Sequence, residues 1–120
     1  MGVNTKSKSE QHFYQTGTGD VTLDVVVGDG NPGALVVFLA DQQIATGPEV
    51  SGQALGPGPS LKGKEMHILA TVRDNNPVTS QASVIARFTN LATGKSRTLS
   101  LSETSADGDV VALTLIITFA

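Results

Sequence analysis

The chain has 120 residues, 39% of them apolar and 16% charged, which is the size and composition of one domain able to bury a core without staples. It contains no cysteine, so disulfide frameworks, Cys-ligated zinc, iron–sulfur clusters and thiol nucleophiles are excluded. Its net charge is −3, its eight basic residues are scattered, and it has four Phe, one Tyr and no Trp; neither the cationic face nor the stacking platforms of a nucleic-acid binder are present, and anionic membrane surfaces are disfavoured for the same reason.

Residues 1–11, "MGVNTKSKSEQ", are small and polar and are expected to form a flexible N-terminal arm. They lack the apolar segment of a secretory signal. Lys6 stands where a myristoylation motif needs Ser or Thr. The longest apolar run is too short to cross a bilayer as a helix, so neither a signal nor a transmembrane segment is expected in this chain, and the compartment stays open.

From residue 12 onward the signals are those of strands. After a short strand near 12–16, "VTLDVVV" (21–27) places Val21, Leu23, Val25 and Val27 on one face, and "ALVVFLA" (34–40) is apolar on both faces. "ADQQ" (40–43) is either a turn into a short strand, "IAT", or a bulge in one continuous strand. "EMHILATV" (65–72) aligns Met66, Ile68, Ala70 and Val72; "ASVIARF" (82–88) aligns Ala82, Val84, Ala86 and Phe88; "RTLSL" (97–101) offers Leu99 and Leu101; "VVALTLIITF" (110–119) aligns Val111, Leu113, Leu115, Ile117 and Phe119. Period-two alternation with β-branched enrichment marks strands, and no window has a helical period. Turn chemistry separates the runs: "GDGNPG" (28–33), "RDNNP" (73–77), "NLATGK" (90–95) with Gly94 at a left-handed position, and "SADGD" (105–109) with its Asp-Gly pair. One connection, residues 47–64, holds five Gly and three Pro; it is functional or disordered, with room for a short edge strand around Val50–Leu55. The expected fold is an all-β, single-domain antiparallel β-sandwich, Ig-like or jelly-roll-like, of about seven or eight strands over residues 12–120.

Motifs with a chemical meaning dissolve into turns. Gly28, Gly30 and Gly33 match G-x-G-x-x-G, but a strand follows them where a dinucleotide site needs a helix N-terminus. Gly94-Lys95-Ser96 resembles the end of a P-loop, yet the required leading glycine is Thr89. His12 and His67 form no metal-ligand pair, and His67 falls out of phase with Met66 and Ile68. A small hydrolase would need one of them beside a nucleophile.

Two sets of residues carry the functional expectations. Outward positions on the doubly apolar strands and their neighbours, Val26, Val36, Phe38, Ile85, Val110 and Ile116, form a candidate protein interface. Asp29 and Asn31, Asp74, Asn75 and Asn76, and Asp107 and Asp109 lie in three loops whose oxygens are of the kind that calcium takes, although Asp and Asn are also ordinary turn residues. Their sharing one end depends on strand parity: with "ADQQ" as a hairpin turn, the first loop is expected opposite the other two. Carbohydrate is a further candidate partner, limited by the few aromatics; Tyr14 is the one with a polar handle expected near the surface. The leading expectation is a non-catalytic module that associates with itself or another protein and uses no cofactor. The alternative is a Ca2+-dependent or glycan-binding module built on the acidic loops.

Overall fold

The computed structural model describes residues 5–28, 33–73, 81–105 and 108–120. Nine strands and one helical turn follow in chain order: β1 (Thr5–Tyr14), β2 (Asp20–Val27), β3 (Gly33–Leu39), β4 (Gln42–Gly47), β5 (Val50–Pro57), α1 (Gly58–Leu61), β6 (Glu65–Arg73), β7 (Gln81–Asn90), β8 (Ser96–Thr104) and β9 (Val110–Phe119). They form two packed sheets, one ordered β1-β9-β6-β3-β4 and the other β5-β2-β7-β8. The fold is an all-β sandwich, with one strand more than the upper expectation. The addition is β5, which lies in the Gly- and Pro-rich connection.

Alternation does the folding work. β9 buries Val111, Leu113, Leu115, Ile117 and Phe119; β6 buries Met66, Ile68, Ala70 and Val72; β7 buries Ala82, Val84, Ala86 and Phe88. These inward sets interdigitate with Val21, Leu23 and Val25 of β2 and Leu35 and Val37 of β3 in a single core. One end of the core is closed by three rings: Tyr14 lies 5.0 Å from Phe88 and 5.9 Å from Phe119, and Phe88 lies 6.0 Å from Phe119 in a T-shaped pair. Tyr14 is therefore buried, against its expected place near the surface.

The segment expected to be a flexible arm is strand from Thr5 onward. β1 pairs with β9 in parallel, the one parallel pair between the strands described here. This register turns Lys6, Lys8, Glu10, His12 and Tyr14 inward, beside β8 at the open side of the sandwich. Lys6 Nζ and Lys8 Nζ each donate at 3.1 Å to the carbonyls of Thr104 and Ser102, and Arg97 Nη1 donates at 2.6 Å to the Phe13 carbonyl. Inward-pointing charge on an edge strand works against edge-to-edge aggregation.

"ADQQ" is a true hairpin turn. Ala40 and Asp41 both have positive φ (50° and 66°), the signature of a two-residue type I′ connection. The expected consequence for the loops does not follow, because β5 adds one more reversal and restores the parity. Gly33 pairs with Val72, Arg73 with Val110, and Gln81 with Thr104. The strand ends flanking all three acidic loops thus lie at one end of the sandwich, opposite the aromatic plug. Strands β6 to β9 reach this arrangement by crossing between the sheets twice, not as a simple meander.

Candidate functional site

Among the described residues, the outward side of the five-stranded sheet carries few full charges. Register places Phe38, His67, Ile116 and Gln11 in one row across β3, β6, β9 and β1, and Val36, Leu69, Thr114 and Ser9 in the next. Ala34, Thr71 and Ala112 make a third row, and Val110 stands beside Arg73. Leu69, at the middle of β6, is 39% exposed. Full charges on these strands' outward positions are confined to Glu65 and Arg73, at opposite ends of β6. His67 lies between, its Nε2 2.7 Å from Glu65 Oε1.

Of the six expected interface residues, Val36, Phe38, Val110 and Ile116 share this face. Val26 and Ile85 do not. They are register partners on the outward side of the other sheet, where Val26 is 41% exposed. Around them the surface is polar. Asp24 Oδ1 accepts from Gly52 N at 2.8 Å, Asp24 Oδ2 lies 3.5 Å from Arg87 Nη2, and β8 presents Ser96, Thr98, Ser100, Ser102 and Thr104 at alternate positions. Leu69 was missing from the expected set. Its signal was present, since it is out of phase with Ile68 and Ala70 in the same run.

Among the acidic-loop candidates, Asp29, Asn31, Asp74, Asn75, Asn76 and Asp107 lie outside the described residues. Asp109 is buried and already partnered, which ties it to the fold. Among the described residues no group of three His, Cys, Asp or Glu side chains could hold a metal ion.

The opposite end carries a polar groove. Gln15–Gly19 runs from β1 to β2 over the aromatic plug. Thr16 N and Oγ1 donate to the Ala120 carbonyl at 3.0 and 2.9 Å, and Gly58 N donates to the Gly19 carbonyl at 2.9 Å. Close approach explains two glycines here: a Cβ on Gly58 would meet the Gly17 carbonyl oxygen at 2.0 Å, and one on Gly19 would meet Asn90 Oδ1 at 2.4 Å. Between this linker and the β7–β8 hairpin lies a cavity of about 500 Å³, lined by Tyr14, Gln15, Asn90, Lys95, Ser96 and Arg97 among others. A neighbouring cavity of about 560 Å³ shares Gln15 and Arg97 and adds Gln11, His12 and Phe13. Burial raises the Tyr14 hydroxyl above its ordinary pKa, and the Arg97 charge pulls it down in opposition. No short motif announces this groove, because its residues meet only when β1 pairs with β9.

Both histidines sit beside a glutamate two residues earlier on their own strand. His12 Nε2 lies 2.8 Å from Glu10 Oε1, in an orientation that makes no hydrogen bond. No protein-family model, curated protein or solved structure matches this chain.

Proposed function

We propose that this domain is a non-catalytic assembly module whose copies pair face to face through the outward side of the five-stranded sheet. The observation that carries the reading is the cluster of exposed Leu69 with half-buried Val36, Phe38 and Ile116, on a face with no full charge between Glu65 and Arg73. Solvated monomers rarely leave such a surface uncovered. Its size is sufficient. Nine residues of β6 span about 30 Å and five strands about 19 Å, a footprint of about 600 Å² per copy; the two copies together then bury about 1,200 Å², above the threshold for a specific interface. The non-catalytic part of the reading rests on the histidines, each of which lies beside a glutamate of its own strand.

Sedimentation velocity over a range of micromolar concentrations tests this. The wild-type protein is expected to sediment as a dimer, and Leu69→Lys as a monomer that keeps the wild-type far-UV circular dichroism spectrum, since Leu69 stands outside the core. Val26→Lys, on the other sheet, is expected to leave the dimer intact. A monomeric wild type at the highest concentration, or equal sensitivity to both substitutions, would sink the proposal.

A further inference from the structure

We propose that the groove between the end of β1 and the β7–β8 hairpin binds an acidic saccharide, its carboxylate held by Lys95 and Arg97 and a sugar ring laid against Phe13. This goes beyond self-association; Gln11 and Phe13 stand at the β1 edge of the outward face, so the binding test is run on Leu69→Lys, which is monomeric whether or not the wild type pairs. Three observations lead here.

The first is charge. The chain is net negative, yet the ionisable side chains lining the two cavities are His12, Tyr14, Lys95 and Arg97, with no Asp or Glu among them. Lys95 and Arg97, which line the first cavity together with no carboxylate partner among the described residues, favour an incoming anion.

The second is preorganisation. The Arg97 guanidinium is fixed by its 2.6 Å bond to the Phe13 carbonyl, which leaves further N–H donors of its planar fork for a carboxylate. Lys95 is set by the hairpin: Gly94, at φ 71°, closes the turn, Gly94 N donates to the Asn90 carbonyl at 2.7 Å, and Asn90 N donates to the Lys95 carbonyl at 2.9 Å. Tyr14, which lines the first cavity, is itself packed against Phe88 and Phe119. A groove lined by a packed Tyr14 and by an Arg97 already held at Phe13 needs less ordering when it binds.

The third is the kind of lining. Beside the cations stand the amides of Gln11, Gln15 and Asn90 and the hydroxyl of Ser96, groups that pair with sugar hydroxyls in both directions. Phe13 borders the second cavity with 65% of its surface exposed. A bare phosphate or carboxylate would use the cations and leave this ring without a role. A pyranose with a carboxylate uses both, the acid group in the first cavity and the apolar ring face on Phe13.

Titration of isotope-labelled Leu69→Lys protein with a trigalacturonic acid probe, followed by amide and side-chain NMR shifts, tests the proposal. Shifts are expected at Gln15, Asn90, Lys95 and Arg97, with weaker binding as salt rises. Lys95→Gln and Arg97→Gln are each expected to weaken binding by about tenfold, the scale of one charge-assisted hydrogen bond, and Phe13→Ala to weaken it as well. The Lys95 side chain holds no partner among the described residues, so Lys95→Gln tests the site without touching the fold. Absence of shifts in the groove overturns the proposal, as does equal binding of a neutral galactose trisaccharide. Tighter binding of inorganic phosphate that Phe13→Ala leaves unchanged, or tighter binding of a single-stranded oligonucleotide, also overturns it.

Discussion

At the scale of single residues, Tyr14 joins the core to the groove. Its ring completes the plug with Phe88 and Phe119, while the residue also lines the cavity beside Arg97. Its pKa is raised above the ordinary 10.0, chiefly by burial, so the folded state holds the phenolic proton more tightly than the unfolded chain does. Linkage then fixes the sign: the contribution is complete below pH 10 and is lost as pH climbs through the higher folded-state value. Tyr14→Phe keeps the plug and removes the ionisation. Chemical denaturation at neutral and at strongly alkaline pH is expected to show a smaller alkaline loss of stability in Tyr14→Phe than in the wild type; equal losses would show that Tyr14 does not titrate against the fold. Phe88 and Phe119 were legible as core from their phase in long alternating runs. Tyr14 was not, because "YQTGTG" offers no alternation and its burial follows from a pairing more than one hundred residues distant in sequence, Tyr14 with Phe119.

At the scale of elements, the strands that alternation failed to reveal are those at sheet edges. β5 has Gly52 and Gly56 at positive φ and two register irregularities against β2, so its period is broken where its backbone bends. β1 alternates, but with Lys, Glu and His as its inward set, a pattern that reads as a solvated arm until Lys6 and Lys8 are seen capping carbonyls of β8. The β3–β4 turn shows the opposite case, where backbone geometry demands residues the chain does not use. Ala40 at φ 50° and Asp41 at φ 66° occupy left-handed positions that Asn and Gly adopt with less strain. The double substitution Ala40→Asn, Asp41→Gly is expected to raise unfolding free energy by about 1 kcal/mol, measured by urea denaturation at neutral pH. A lowered midpoint would mean that these side chains hold the turn by contacts outside the hairpin.

At the scale of the whole molecule, the two outward faces differ in kind, and in the proposed dimer that difference sets which face pairs. One is studded with hydroxyls and crossed by the Asp24–Arg87 pair. The other sets Val36, Phe38, Leu69 and Ile116 among Ser9, His67, Thr71 and Thr114 and, among the described residues, carries its full charges only at the two ends of β6. Alternation within each strand made the outward sets readable, but not their division between the sheets, since Val26 and Val36 are outward in the same sense until the strand order separates them. The charge placement also selects a symmetry. Leu69 is the central residue of β6, with Glu65 and Arg73 equidistant on either side. A two-fold axis lying between the faces and across the strands runs the two β6 strands antiparallel, stacks Leu69 on the partner's Leu69, and sets Glu65 against the partner's Arg73. An axis along the strands would instead set Glu65 against the partner's Glu65 and Arg73 against the partner's Arg73, with like charges opposed. Reversing one charge therefore discriminates between them. With the axis across the strands, Glu65→Arg is expected to weaken the dimer, Arg73→Glu to do the same, and the double exchange to restore it. The effects should shrink at high salt, because both groups stand at the rim. Sedimentation equilibrium of the four proteins at low and high ionic strength reads this directly. Dimers that neither single reversal weakens would exclude the axis across the strands, because about an axis along the strands each reversed charge meets its own copy and like charges stay opposed.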